Sequence, residues 1–122
     1  MASPNIANLS SIVGITSATS SVSPTNGSIV LGTPATNHVY KINTVMAANK
    51  TATTAYITLT LNRNATVWYN LAYQMPVPGN ASIVLMGKDN PIYMMDTQSD
   101  ILSAITATAS AVDVFVSYED IS

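Results

Sequence analysis

Cysteine is absent from this 122-residue chain, and histidine and tryptophan occur once each, as His38 and Trp68. Without thiols there is no disulfide, iron–sulfur centre, thiolate zinc site or cysteine nucleophile. With a single imidazole, most acid–base chemistry lacks its usual raw material. Charge is also scarce: Lys, Arg, Asp and Glu make up 8% of the residues, against about a quarter in typical soluble domains. A net charge of −2 offers no basic patch for a phosphate backbone, so no nucleic-acid partner is expected. No apolar run reaches the roughly 18 residues a spanning helix needs, and no membrane association is expected. The opening Met1-Ala2-Ser3-Pro4 has neither the positive start nor the apolar run of a secretory signal. Five Asn-x-Ser/Thr triplets, at Asn8, Asn26, Asn49, Asn64 and Asn80, are therefore read as by-products of a Ser-, Thr- and Asn-rich composition. Only five glycines occur, with no phosphate-cradling G-x-G-x-x-G and no Gly-x-Ser-x-Gly elbow.

What the chain has in abundance is period-two patterning. Ile57, Leu59 and Leu61 alternate with Tyr56, Thr58 and Thr60, and Val112, Val114, Val116 and Tyr118 alternate with Asp113, Phe115 and Ser117. Such alternation marks half-buried strands. Strands are predicted over residues 54–62 and from 112 to the end, and further ones over 28–31, 38–46, 66–74, 82–86 and 100–108. Residues 12–16 and 20–22 would add two short ones. Pro, Gly and Asn punctuate these segments at 24–27, 34–37, 62–64, 76–80 and 88–91, and all six prolines fall outside the predicted strand interiors. The expected fold is all-β: a single antiparallel β-sandwich, jelly-roll-like or Greek-key, of seven to nine strands over residues 11–122. Residues 1–10 lack any period and read as an N-terminal arm.

Candidates for chemistry are few. His38 follows a turn and has no acid–base partner near it in sequence, so a structural role is expected. Asp96-Thr97-Gln98-Ser99-Asp100 alternates oxygen side chains but lacks the glycine and terminal Glu of a calcium loop, so no metal or other cofactor is expected. Trp68, Tyr69 and Tyr73 share one strand. Strict alternation separates Trp68 from Tyr69 and Tyr73, so no continuous aromatic platform is predicted; the two tyrosines would line the core or its edge. Trp68, among polar neighbours, is the candidate for an exposed contact. Met94-Met95 is expected in the core. A surface with so little charge suits a chain held permanently in an assembly, and Ser-, Thr- and Asn-rich faces suit a sugar-binding module or a pilus-type subunit equally.

Gly87-Lys88-Asp89-Asn90-Pro91-Ile92-Tyr93, followed by Val114-Phe115-Val116-Ser117-Tyr118-Glu119-Asp120-Ile121-Ser122, resembles a family of small, cyanophage-type virion structural proteins of tailed bacteriophages. Ile12-Val13-Gly14-Ile15-Thr16 and Val39-Tyr40-Lys41-Ile42-Asn43-Thr44-Val45 look like the family's first strands. Where the family runs into an acidic Gly-Asp-Ser turn, this chain has Met94-Met95-Asp96-Thr97-Gln98-Ser99. The resemblance implies a non-enzymatic virion component, a head decoration or cement protein on the capsid surface, made in the host cytoplasm. Its implied partners are the major capsid protein or other virion proteins, together with further copies of itself as a dimer or trimer. A neck, tail or fibre-adaptor position and a carbohydrate-binding, adhesin-like module are the alternatives. The expected interface comprises the arm (Ser3, Pro4, Asn5, Ile6 and Leu9), Trp68, Asn80 and the segment Lys88, Asp89 and Asn90. In the two motifs, Asn90-Pro91 would set a turn before a short strand. Glu119-Asp120 would discourage further pairing at a sheet edge.

Overall fold

The computed structural model describes residues 11–20, 22, 28–64, 66–87, 89, 91–107 and 111–122. The strands are β1 (Ile12–Thr19), β2 (Ser28–Leu31), β3 (Val39–Asn49), β4 (Ala55–Arg63), β5 (Val67–Val77), β6 (Ser82–Met86), β7 (Ile92–Met95), β8 (Ile101–Thr106) and β9 (Val112–Ile121). One 3-10 turn, Asp96–Gln98, separates β7 from β8. All strand pairings are antiparallel. One sheet has the order β1-β9-β3-β6, with β7 also on β3; the other has the order β2-β8-β4-β5.

These pairings nest. β4 and β5 form the innermost hairpin. β3 with β6 and β7, β2 with β8, and β1 with β9 enclose it in turn, and successive pairs alternate between the two sheets. A chain doubled back once and rolled in this way is a jelly roll. β6 and β7 share one edge of β3: β6 lies opposite residues 45–48 and β7 opposite residues 39–42. β6 ends at Met86 and β7 begins at Ile92, so the two occupy successive lengths of the same edge.

The sheets meet over an apolar core. Ile42, Val45, Val112, Val114 and Val116 come from one sheet and Ile57, Leu59, Val77 and Leu102 from the other. Met94 is fully buried among them, as expected, whereas Met95, the other half of the expected core pair, is only half-buried. Alternation in β4 and β9 places the apolar set inward, as the sequence pattern predicts. Asn37, Asn64 and Asn80 take positive φ at three of the predicted turns, where an Asn tolerates the left-handed region.

Three expectations change. Residues 20–22 form no strand at Ser20 or Val22; the Val22 N–H instead donates to Val112 O at 2.9 Å. Pro76 lies inside β5 rather than in a turn. β5 is an edge strand, and a missing N–H is tolerated where no neighbour needs it. Glu119 and Asp120 do not guard an edge, because β9 is central between β1 and β3. Each has a local partner instead: Glu119 Oε2 lies 3.7 Å from Lys41 Nζ, and Asp120 Oδ1 lies 2.6 Å from His38 Nδ1.

Candidate interaction surfaces

β5 carries Val67, Trp68, Tyr69, Tyr73 and Met75, five of the large apolar side chains that stand out into solvent. Its register against β4 explains which way each one faces. Leu61 opposes Tyr69 and Asn62 opposes Trp68, as plain alternation requires. The register then shifts twice, between Leu59 and Thr60 and between Ile57 and Leu59. In the first bulge Leu71 and Ala72 together face inward and pack against the core. In the second, Tyr73 and Gln74 together oppose Thr58, and Gln74 adopts φ 47° while its N–H donates to Thr58 Oγ1 at 3.0 Å. The extra residue at Leu71–Ala72 reverses the alternation beyond it. Tyr73 therefore joins Trp68 on the outer face, 64% and 57% exposed, against the prediction that the two would be separated. Tyr69, opposite the buried Leu61, keeps the inward side of the register and is nonetheless half exposed.

The outer face of the four-stranded sheet thus presents Tyr56, Tyr73 and Trp68 in line along β4 and β5. Between them lie Thr58, Thr60, Asn70 and Gln74, and Ile29, Ile101, Ser103 and Ile105 continue the face across β8 and β2. No described residue on this face is charged. A shallow groove of about 180 Å³ crosses it, lined by Tyr56, Thr58, Gln74, Ile105, Thr106 and Ala107. Beside Trp68, the Asn62 side chain is 8% exposed and its Oδ1 has no hydrogen-bond partner.

The outer face of the five-stranded sheet is built differently. Ala18, Phe115, Met46 and Val84 form one continuous cross-strand row over β1, β9, β3 and β6. Val84 is 58% exposed and Phe115 36%. Ion pairs flank the row, Lys41 Nζ to Glu119 Oε2 at 3.7 Å on one side and Lys50 Nζ to Asp113 Oδ1 at 2.9 Å on the other. Asn43 Nδ2 also donates to Glu119 Oε2 at 3.4 Å. Tyr93 stands exposed beside Lys41, its partner in the β3–β7 register.

The remaining expected residues are scattered. Ser3, Pro4, Asn5, Ile6 and Leu9 of the arm, with Lys88 and Asn90, lie outside the described residues. Asp89 is exposed at the free edge of the five-stranded sheet. Asn80 lies at the end of the sandwich remote from β7, its N–H donating to Thr51 O at 2.8 Å. His38 has a partner that its sequence neighbourhood does not show: Nδ1 lies 2.6 Å from Asp120 Oδ1. That pair ties the entry of β3 to the end of β9.

Both carboxylates of the 96–100 segment are engaged in folding. Asp96 Oδ2 accepts the Asn37 N–H at 2.8 Å. The fully buried Asp100 accepts Arg63 Nε at 2.8 Å, Nη2 at 2.9 Å and the Met95 N–H at 3.0 Å. The carboxylate hydrogen bond holds the Arg63 guanidinium above its usual range, outweighing a smaller opposing effect of burial. Among the described residues, no group of three His, Cys, Asp or Glu side chains converges as a metal site would require.

No protein-family model, curated protein or solved structure matches this chain.

Proposed function

We propose that this chain is a non-enzymatic structural protein of a tailed-phage virion, a decoration protein seated on the head through the outer face of its five-stranded sheet. The observation that carries the seating is the row Ala18, Phe115, Met46 and Val84 with ion pairs on both sides. An apolar centre inside a polar rim is the anatomy of a protein–protein contact. The two C-terminal motifs support the virion assignment, since both contribute to this same sheet. Ile92 and Tyr93 of the first lie on β7, and β9 supplies Phe115.

Each copy would bury a modest patch, and the lattice multiplies that small increment. The arm and the 87–91 segment extend the contact to neighbouring capsid subunits, and Asn80 reaches it from the far end of the sandwich. Trp68, expected in the same interface, is on the opposite sheet and has a different assignment below.

A cryo-electron reconstruction of the particle tests this reading. Density for the sandwich at repeated capsomer junctions, five-stranded sheet down, is the expected result. Density at a single vertex would move the protein to the neck or tail and end the decoration reading.

A further inference from the structure

We propose that the outer face of the four-stranded sheet binds a linear, neutral saccharide. Tyr56, Tyr73 and Trp68 would be stacking platforms, and the groove beside Tyr56 would hold one ring. Four observations converge on this face. It carries no charge among the described residues, so an anionic polymer or a phosphorylated ligand finds no counterion there. Its aromatics are spaced along the strands rather than clustered. From the positions they oppose on β4, Tyr56 and Tyr73 are about 7 Å apart along the strand, and Tyr73 and Trp68 about 14 Å, at about 3.4 Å per residue.

The intervals between the aromatics are filled by hydroxyl and amide side chains: Thr58, Gln74, Thr60 and Asn70. A pyranose chain has this alternation of its own, with C–H faces for aromatic rings and hydroxyl rims for hydrogen bonds. Third, the groove of about 180 Å³ has the space of roughly six waters, on the scale of one sugar ring. Its wall is set by a residue in strained backbone, Gln74 at φ 47°, held there by Thr58. Fourth, Asn62 Oδ1 is a buried acceptor without a donor, adjacent to Trp68 in the register. A ligand hydroxyl admitted by a shift of the indole would satisfy it.

A protein partner fits this face less well, because protein contacts concentrate their binding energy in one packed cluster. The cluster with a charged rim is on the other sheet. The outer faces of a two-layer sandwich point in opposite directions, so a copy seated through one presents the other to its surroundings. The saccharide proposal concerns the isolated chain, and its failure leaves the decoration reading standing.

Trp68 is the only tryptophan, so intrinsic fluorescence reads this face directly. The full chain is titrated separately with cellohexaose, maltohexaose and N-acetylchitohexaose. A saturable shift of the emission with at least one of them is expected, insensitive to added salt. Tyr73→Ala and Gln74→Ala are each expected to weaken binding about tenfold, or ~1.4 kcal/mol, with far-UV circular dichroism unchanged, while Tyr73→Phe retains binding. No saturable shift with any of the three sugars, in protein shown to be folded, overturns the proposal. So does a shift that Tyr73→Ala leaves intact. An emission change that follows protein concentration, with association seen by sedimentation, would instead make this face a contact between copies and equally overturn it.

Discussion

Asn49 is 4% exposed and uses its whole carboxamide. Nδ2 donates to Thr53 O at 2.8 Å and Val77 O at 2.9 Å, and Oδ1 accepts the Thr51 N–H at 2.9 Å and hydroxyl at 2.8 Å. One side chain thus joins the end of β3, the turn into β4 and the end of β5. Asn49→Ala removes these four bonds and leaves the buried Val77 O without this donor, at about 4 kcal/mol in urea unfolding, since each bond contributes about 1 kcal/mol. Asn49 begins a glycosylation triplet, yet its amide nitrogen is fully committed in the fold; the sequence shows the triplet and not the burial.

Tyr40 and Tyr118 make a second residue-scale case, with ring centroids 4.8 Å apart. Burial first, and the Asp120 carboxylate second, push both phenols above their ordinary value of 10.0. Charge repulsion from the Tyr118 phenol oxygen raises Tyr40 further. Above pH 10.0 the unfolded chain releases these protons before the folded one does, so stability present below that pH falls as pH rises through the folded values. Urea midpoints measured along the alkaline limb should decline, and Tyr40→Phe and Tyr118→Phe should each flatten the decline.

Among the elements, β5 and its exit turn decide most. A Cβ on Gly79 would lie 2.2 Å from Ala52 O and 2.4 Å from Ala52 C, which are backbone atoms with no rotamer to yield. Gly79→Ala must therefore push the 51–53 turn away from the β5–β6 connection. A loss of about 2–3 kcal/mol is expected by thermal or urea unfolding. Within β5 the strand was legible from its β-branched and aromatic residues, but its faces were not. A bulge leaves no mark in a period-two pattern, and one extra residue at Leu71–Ala72 moved Tyr73 to the side of Trp68. Pro76 was misread for a related reason: whether a strand tolerates proline depends on whether it is an edge, and edge position belongs to the sheet. Glu119 and Asp120 show the converse, carboxylates that suggest an edge yet sit in a central strand, each beside a partner on or just before β3.

For the whole molecule, the separation of its two outer faces yields a test of seating. Val84→Lys changes a 58% exposed position, so the purified chain should keep its unfolding free energy within about 0.5 kcal/mol, whereas Phe115, only 36% exposed, loses packing and its change to Asp is expected to cost about 1–2 kcal/mol while leaving the chain folded. On particles the same variants should lower occupancy sharply, measured as the ratio of this chain to the major capsid protein in gradient-purified virions. Trp68→Ala, on the other sheet, should leave that ratio unchanged. Equal occupancy for Phe115→Asp, Val84→Lys and the unaltered chain would remove the five-stranded sheet from the contact.

Alternation along β4 and β9, Asn at the turns and the lack of any helical period were enough to determine an antiparallel sandwich with its inward set of apolar residues. These are local properties, written into the spacing of side chains along a pleated strand. The jelly-roll order, the pairing of His38 with Asp120 and of Arg63 with Asp100, the aromatic line along β5 and the opposed apolar row across β1, β9, β3 and β6 came only with the tertiary structure. Each depends on which strands become neighbours and in what register, and a register is fixed by the packing of two sheets rather than by any one strand.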